Sequence, residues 1–185
     1  MNFTKYDKYG AYHWKEFDMP TQYREHVLHV CQWLRDGHTL DAGAGDGLIT
    51  AMLNSVARPT VGIDDNATAV ALAKQAGQPV EQESIYDLAI TDKFDNIYLG
   101  DVIEHLEHPH LALERMAKAL RPDGILYLVT PPAKADGQID DPLHYFEWTP
   151  DQMEHYMHQQ GWTMQTLTVK PEWRRMYATF TFKRP

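Results

Sequence analysis

Short apolar runs alternate with longer stretches of helical hydrophobic spacing along most of this chain. Runs of this kind, bounded by glycine, proline or polar residues, are typical of buried strands. They predict five strands through the middle of the chain and two more after residue 160. In chain order the runs are HTLDAG, TVGID, PVEQESI, FDNIYLG, ILYLVT, TMQTLTV and MYATFTF.

Apolar residues three and four apart predict the helices between these strands. The first helix follows Pro20, carries one stripe and ends at Asp36-Gly37; its apolar positions are Tyr23, Val27, Val30, Cys31 and Leu34. Later helices are predicted from Leu48, over Ala67–Ala76, over 109–120 and over Thr149–Gln160, the last with Thr149 as N-cap and Pro150 at its first position. The 109–120 helix is expected to bury Leu111, Leu113, Met116, Ala117 and Leu120.

The alternation of strands and helices predicts right-handed βαβ units, and therefore a parallel sheet. The PEWRR segment between the last two strands is too short for a crossover helix, so these strands are expected to pair as an antiparallel hairpin. The predicted fold is α/β: a doubly wound, Rossmann-like, mostly parallel seven-stranded sheet with an antiparallel C-terminal hairpin and helices on both faces.

A chain of 185 residues has the length of one domain. Residues 1–19 are polar and aromatic without a clean period, which predicts an irregular N-terminal arm. Residues 20–185 are expected to form the single folded domain.

Composition narrows the possible partners and compartments. The formal net charge is −9, which disfavours a nucleic-acid partner because phosphate binding needs a basic surface. Cys31 is the only cysteine, so an intramolecular disulfide or a cysteine-rich zinc site is impossible, and Cys31 is expected to be a core residue. There is no apolar run of membrane-spanning length and no signal-peptide pattern, which favours a cytoplasmic protein without a membrane partner.

The segment DAGAGDG, residues 41–47, predicts a ligand site at the carboxyl end of the first strand. Glycines allow a tight turn and a close approach of backbone N–H groups to a ligand. The dinucleotide fingerprint G-x-G-x-x-G is broken, because Leu48 stands where its third glycine belongs. Asp41 suits a ligand ammonium group, and Asp64, at the end of TVGID, suits both hydroxyls of a ribose. An amino acid and a ribose without a phosphate describe S-adenosylmethionine.

Five motifs in order carry a family resemblance: DAGAGDG, VGID, FDNIYLGDVIEHL, LRPDGILYLVTPP and H-x-x-x-W-T. Together they resemble the class I (seven-β-strand) S-adenosylmethionine-dependent methyltransferases, above all the bacterial group with a D-V-x-E-H-L motif after the fourth strand. The resemblance covers residues 38–169, and the aromatic segment YGAYHWKEF also recurs in that group. It implies methyl transfer from S-adenosyl-L-methionine, with S-adenosyl-L-homocysteine as product, to an acceptor that is expected to be a small molecule.

The resemblance also assigns cofactor contacts to positions of this chain. Asp41 would orient the methionine amino group, and Asp64 would bind the ribose hydroxyls. The backbone of the glycine-rich loop would lie against the cofactor; its residues are Gly43, Ala44, Gly45 and Gly47. The adenine would be edged by Asp65 or Asn66. Ser84 stands where the family often has an aspartate that bonds the adenine amino group; Ser84 could accept that bond, and Ile85 could cover the ring. Gly100 and Asp101 would contact the methionine end.

The stretch GDVIEHLEHPH, with His144 further along, holds the candidates for chemistry, and four interpretations stay open. Glu104 and His105 could be local caps and hydrogen-bond partners, or His105 or His144 could be a general base, with Glu104 as a further candidate. Asp101, Glu104, His105 and His144 also match the metal ligands of small-RNA 3′-terminal 2′-O-methyltransferases, which resemble this chain after the same strand. The fourth interpretation is no catalysis: a cofactor-binding subunit that supports a partner.

Two regions are expected to shape the acceptor site. The aromatic arm is either a lid over the cofactor or acceptor, or packing against the sheet edge. Pro131 and Pro132 are expected to line the acceptor pocket, with Tyr145, Phe146 and Trp148 as further walls. Four other histidines are expected to be surface residues or caps: His108, His110, His155 and His158. The acceptor atom and the oligomeric state have no signature in the sequence.

Overall fold

The computed structural model describes residues 4–135, 137–139 and 141–182. The helices are α1 (Lys5–Tyr9), α2 (Tyr12–Asp18), α3 (Gln22–Trp33), α4 (Leu48–Ser55), α5 (Ala67–Gln75), α6 (Pro109–Ala119) and α7 (Pro150–Gln159). The strands are β1 (Thr39–Ala42), β2 (Thr60–Asp64), β3 (Val80–Gln82), β4 (Phe94–Gly100), β5 (Leu120–Thr130), β6 (Trp162–Lys170) and β7 (Arg175–Phe182).

The predicted fold class is confirmed. The seven strands have the order β3-β2-β1-β4-β5-β7-β6. The β1–β2, β2–β3 and β4–β5 pairs are parallel, and β7 is antiparallel to β5 and β6. By contacts the chain divides into two compact units, one ending at Leu88 and one beginning at Ala89. Among the helices described, none is both long and apolar enough to cross a bilayer.

In the first unit, β1, β2 and β3 form parallel pairs in sequence order, with Leu40 opposite Val61 and Ile63 opposite Glu81. Leu40 and Ile63 are buried, whereas their partners Val61 and Glu81 are exposed, so burial decreases from β1 toward β3. Helices α4 and α5 contact β2, and α5 also contacts β3. A short loop joins β1 to α4, and another joins β2 to α5. Both loops therefore lie at the carboxyl ends of these strands.

In the second unit, β4 and β5 are parallel, and β7 pairs antiparallel with both β5 and β6. The predicted hairpin of β6 and β7 is therefore confirmed, and β7 lies between β5 and β6. Helix α7 begins as predicted: Thr149 accepts a hydrogen bond from the backbone N–H of Gln152, whose side chain accepts one from the backbone N–H of Thr149.

Three local predictions are wrong. The N-terminal arm is not irregular, since residues 5–9 and 12–18 are helical; such short helices show no readable period and depend on tertiary contacts. Leu111 is 42% exposed rather than buried, because the stripe of α6 that faces inward runs through Ala112, Leu113 and Met116. Leu120 begins β5 instead of ending α6.

Candidate functional site

The glycine-rich loop after β1 adopts backbone conformations that glycine tolerates best. The φ angles of Gly43, Gly45 and Gly47 are 85°, 55° and 80°, all in the left-handed region. The loop is fixed to the next strand, because the N–H groups of Gly43 and Ala44 both donate to the carbonyl of Ile63, at 2.8 and 2.9 Å. A rigid turn therefore precedes α4, as the sequence pattern predicts.

Gly62, in the middle of β2, is a second glycine requirement that the sequence analysis missed. A Cβ at this position would lie 2.6 Å from the Cβ of Ala44, 2.9 Å from Val80 and 3.0 Å from Thr50. Glycine inside a strand often marks a close approach of another backbone, and here the loop after β1 packs directly over β2. The glycine inside the predicted strand TVGID could have indicated this close approach.

Asp64, at the end of β2, binds the loop through backbone groups. Its Oδ2 accepts a hydrogen bond from the N–H of Gly45 at 2.8 Å, and its Oδ1 accepts one from the N–H of Asn66 at 2.9 Å. Burial raises the pKa of this carboxyl above its ordinary value, and the two backbone donors oppose that rise. Asn66, not Asp64, caps α5, since its side chain accepts from the N–H of Ala69.

Asp41 is 2% exposed and accepts a hydrogen bond from the Thr50 hydroxyl at 2.7 Å. Burial raises the pKa of Asp41 to about 7, the Thr50 hydrogen bond opposes this rise, and the charges of Asp64 and Asp46 add to it. Three carboxylates of the first unit therefore influence one another, and a cationic ligand group would relieve their repulsion.

The predicted adenine contacts occupy the turns after β2 and β3. Asp65 is exposed. The Ser84 hydroxyl accepts a hydrogen bond from the N–H of Tyr86 at 3.2 Å and so caps a short 3₁₀ turn, in which Ile85 is 8% exposed. The Ser84 hydroxyl is thus already engaged in a local cap, and the Ile85 side chain is buried.

The N-terminal arm contacts the glycine-rich loop. The backbone N–H and the Nδ1 of His13 lie 3.2 and 3.1 Å from the two carboxylate oxygens of Asp46, and Trp14 Nε1–H donates to the Asp46 carbonyl at 3.0 Å. The Tyr6 hydroxyl lies against Gly45, where a Cβ would be only 2.1 Å away. Asp46, whose carboxylate is fully buried, is not among the site residues predicted from the sequence.

The second unit holds the candidates for acceptor chemistry. Glu104, in a 3₁₀ turn after β4, is 1% exposed, and its Oε2 accepts a hydrogen bond from the Thr130 hydroxyl at 2.9 Å. Burial and the nearby charge of Asp101 raise the pKa of Glu104 above its ordinary range, while Thr130 and Arg175 lower it. Burial therefore favours the protonated form of this side chain more than in an exposed glutamate.

Asp101 forms an ion pair with Arg175 of β7, a residue that the sequence analysis missed. Arg175 Nε lies 2.7 Å from Oδ1 of Asp101 and donates a hydrogen bond to Oδ2 at 3.0 Å. Asp101 has a φ of 53°, an uncommon conformation for a residue with a side chain, directly after Gly100. A Cβ at Gly100 would lie 2.2 Å from the Tyr98 hydroxyl, so this position also requires glycine.

His105 and His144 lie face to edge, with 4.8 Å between their ring centroids. His105 Nδ1 is 2.9 Å from the carbonyl of Leu143, and His144 Nδ1 is 2.8 Å from Oε1 of Glu147. A carbonyl and a carboxylate only accept hydrogen bonds, so both rings carry a proton on Nδ1. The His144 and Glu147 side chains are 11% and 9% exposed, which strengthens their interaction.

Glu104, His105 and His144 together could hold a metal ion. Each offers one ligand atom, and these three atoms lie within 4.8 Å of one another. The structure therefore brings together three of the four residues named for the metal alternative, whereas Asp101 pairs with Arg175. Outside this cluster, His108 and His110 are exposed at the start of α6, and His155 and His158 are exposed on α7.

The segment after β5 forms part of a cavity of about 230 Å³ in the second unit. Pro131 and Pro132 are among its lining residues, with Ala133, Lys134, Glu147, Val169, Pro171 and Arg174; that this cavity receives the acceptor stays a prediction. Trp148 is buried instead and bridges to Pro132 through the backbone, while Tyr145 and Phe146 are 37% and 40% exposed. The N–H groups of Tyr145 and Phe146 both donate to the Glu104 carbonyl, which ties this segment to the 3₁₀ turn.

Comparison with known proteins agrees with the sequence resemblance. Residues 40–128 match the family described as a methyltransferase domain. A ubiquinone biosynthesis O-methyltransferase of Glaesserella parasuis is 28% identical over 103 residues, which cover 49% of this chain and 44% of that protein. A Synechococcus protein is 38% identical over 101 residues, covering 48% of this chain and 24% of that protein. The chain thus spans less than half the length of these curated relatives.

Solved structures share the fold over most of the chain. A Pyrococcus horikoshii protein has a TM-score of 0.76 at 16% identity, covering 99% of this chain and 100% of that one. Magnesium protoporphyrin IX methyltransferase of Synechocystis, with bound S-adenosylhomocysteine, has a TM-score of 0.73 at 16% identity, covering 96% of each chain. The class I seven-strand methyltransferase fold is confirmed, and the predicted cofactor agrees with the molecule bound in that neighbour.

Proposed function

We propose that this chain, whose residues 40–128 match the methyltransferase-domain family, is an S-adenosylmethionine-dependent methyltransferase acting on a small-molecule acceptor. The observation that carries the proposal is the loop after β1. Its three glycines are left-handed, and two adjacent strands carry carboxylates near their carboxyl ends: the buried Asp41 on β1 and the half-buried Asp64 on β2. This arrangement suits a ligand with an ammonium group and a ribose, and gives no phosphate-binding fingerprint.

Cofactor binding follows from these groups. The Asp41 carboxylate would accept hydrogen bonds from the methionine ammonium group, whose positive charge offsets the cost of a buried carboxylate. Asp64 is held by two backbone donors and would accept hydrogen bonds from the ribose hydroxyls. The loop glycines expose backbone to the ligand at a distance that a side chain would prevent.

The proposed acceptor is a hydroxyl group, with His144 as general base. Bound S-adenosylmethionine would supply the methyl group to the acceptor oxygen, and the electron pair of the broken sulfur–carbon bond would stay on sulfur, leaving S-adenosylhomocysteine. The hydroxyl proton passes to Nε2 of His144, because Nδ1 already carries the proton shared with Glu147. Glu147 orients the ring and stabilises the imidazolium that forms, as an adjacent carboxylate does in other acid–base pairs.

Two further observations support a hydroxyl acceptor. The relative from Glaesserella parasuis is an O-methyltransferase by name. A hydroxyl acceptor also needs a general base more than a thiol or an amine does. His144 of the second unit could serve as that base, because it is nearly buried and its tautomer is fixed by Glu147. The net charge of −9 favours a small molecule over a polyanion.

Cofactor binding is tested by isothermal titration calorimetry with S-adenosylhomocysteine, S-adenosylmethionine and NAD. We expect the first two to bind and to raise the melting temperature, and NAD to do neither. Binding of NAD with no response to S-adenosylhomocysteine would contradict the proposal.

The general base is tested with His144→Gln in an S-adenosylhomocysteine-release assay over a library of phenols, catechols and carboxylic acids. We expect kcat to fall on the order of a hundredfold, because general bases contribute about that much or more. His158→Gln, on the exposed face of α7, is the matched control and should keep wild-type turnover. Equal turnover of His144→Gln and wild type on every active acceptor would remove His144 from the chemistry.

A second candidate function is metal-dependent methyl transfer, and the Glu104–His105–His144 cluster favours it. The donor set fits a divalent cation: one carboxylate and two imidazoles, each ring hydrogen-bonded through Nδ1 to a carbonyl or carboxylate as metal-binding histidines are. A bound cation would lower the pKa of an acceptor hydroxyl. The other residues would act as in the first proposal, with the histidines as ligands instead of bases.

Titration of the wild-type protein and of His105→Gln with Mn²⁺ and Zn²⁺ separates the two mechanisms. The metal alternative requires binding to wild type that the variant loses, and activity that EDTA abolishes. Its RNA form further requires methylation of RNA 3′ ends. Turnover that is insensitive to EDTA would leave His144 as a general base and exclude both metal forms.

A non-catalytic, cofactor-binding subunit is the remaining alternative. Binding of S-adenosylhomocysteine without product release on any acceptor, followed by stimulation of a co-purifying methyltransferase, would favour this alternative over catalysis.

A further inference from the structure

Asp46 connects the N-terminal arm with the glycine-rich loop. Its side chain is fully buried, and its two carboxylate oxygens contact the backbone N–H and the Nδ1 of His13. The Trp14 indole donates to the carbonyl of the same residue at 3.0 Å. Three hydrogen bonds from two consecutive arm residues therefore converge on one loop residue, directly before the N-cap Gly47 of α4.

The arm side chains near this anchor form a ring cluster over the loop. Tyr6 is 6% exposed, and its ring centroid lies 5.4 Å from that of Tyr12 and 6.0 Å from that of His13. His13 also stacks on Tyr23 of α3, at 5.6 Å. The Tyr6 hydroxyl contacts Gly45, so the anchor at Asp46 places a buried phenol on the loop that the proposed cofactor would approach.

We propose that His13 is a positioning residue: through Asp46 it holds the aromatic arm against the glycine-rich loop, so that Tyr6 forms one wall of the cofactor site. This inference rests on the proposed function. Without the imidazole, one oxygen of a buried carboxylate loses its donor, and the carboxylate is expected to turn toward water. That rotation would move the Asp46 backbone and with it the adjacent glycines, whose amide positions determine how closely a ligand can approach.

The test uses two substitutions at His13. His13→Phe keeps an aromatic ring for packing but removes the donor, whereas His13→Asn retains an N–H near the position of Nδ1. We expect His13→Phe to weaken S-adenosylhomocysteine binding by about tenfold and to raise KM for S-adenosylmethionine with little change in kcat. His13→Asn should restore both values to within about twofold of wild type. Hydrogen exchange of residues 5–18 should be faster in His13→Phe only.

His29→Phe, on α3, is the matched control and should bind as wild type does. Faster exchange of the arm in His13→Phe with unchanged cofactor affinity would overturn the inference, because the arm would then be structural only. Equal loss of affinity in both His13 variants would also overturn it. A wild-type protein that fails to bind S-adenosylhomocysteine would instead refute the proposed function, and with it the wall formed by Tyr6.

Discussion

The acidic side chains of the two units have different kinds of hydrogen-bond and ion-pair partners. In the first unit, Asp64 is satisfied by backbone N–H groups of neighbouring loops, and Asp41 by a hydroxyl only nine positions away. In the second unit, Asp101 pairs with Arg175, 74 positions along the chain, and Glu104 with Thr130, 26 positions along. Under the proposed function, the local backbone partners of the first unit would preorganise the cofactor site, whereas the distant side-chain partners of the second unit could vary with the acceptor.

The largest effect should come from removing the charge at Asp41. Asp41→Asn keeps the shape but cannot pair with an ammonium group, so we expect S-adenosylhomocysteine affinity to fall about a hundredfold, or roughly 2.7 kcal/mol. Asp95→Asn, in a surface ion pair of the second unit, is the matched control and should bind normally. Affinity within threefold of wild type in Asp41→Asn would show that the first unit does not recognise the amino group.

Next in size is the loss of Arg175. Arg175→Met leaves Asp101 and the buried Glu104 without their cation, and we expect the free energy of unfolding at pH 7 to fall by about 2 kcal/mol, a value reduced for the 31% exposure of both ion-pair side chains. Urea denaturation measures it. Arg121→Met breaks an exposed pair with Asp95 and should cost under about 0.5 kcal/mol. Similar losses in both variants would show that the Arg175–Asp101 pair stabilises the protein no more than the Arg121–Asp95 pair does.

The pH dependence of cofactor binding should follow Asp41. Because its pKa is raised to about 7 in the free protein, and only the carboxylate pairs with an ammonium group, affinity should be full above pH 7 and decline as the pH falls through 7. Between pH 8 and pH 6 we expect about a tenfold loss, equivalent to about 1.4 kcal/mol. Calorimetry at several pH values measures it, and Asp41→Asn should abolish the dependence. A flat wild-type profile would contradict the assignment.

The smallest effects offer the most direct comparison of the units. Thr50 and Thr130 are both buried, and each donates its hydroxyl to a buried carboxyl group, at 2.7 and 2.9 Å. Thr50→Val and Thr130→Val should each lower the free energy of unfolding by about 1 kcal/mol. Only Thr50→Val should also weaken S-adenosylhomocysteine binding, by a few-fold. Weaker binding in Thr130→Val alone would reverse the assignment of the cofactor to the first unit.

What could be predicted from the sequence also depends on whether the interacting residues are close together or far apart in the chain. The glycine-rich loop, β2 ending at Asp64 and the cap of α7 at Thr149 were predictable, because each depends on residues close together in the chain. The pairing of Arg175 with Asp101 and that of Asp46 with His13 could not be predicted, because a local motif does not show which distant residue will contact it. Glu147 stands three residues after His144, so its role could have been inferred from that spacing once the loop was known to turn.

The arm shows a further limit. Helices α1 and α2 have five and seven residues, too few for hydrophobic spacing to display a period, and their position depends on contacts such as the one between His13 and Asp46, 33 positions apart. The aromatic composition indicated that the segment matters but not what it contacts. Whether the arm is a lid stays a prediction, which the His13 substitutions address.

The position of β7 between β5 and β6 has a consequence for how the protein is made. In the first unit, strands pair in the order in which the ribosome delivers them, so β1, β2 and β3 can associate as they emerge. In the second unit, β5 and β6 are synthesised before the strand that joins them, and Arg175 arrives with that strand. Until then β5 and β6 each lack the strand that pairs with them and Asp101 lacks the guanidinium of Arg175, so the second unit can complete its sheet only once the last strand has been synthesised.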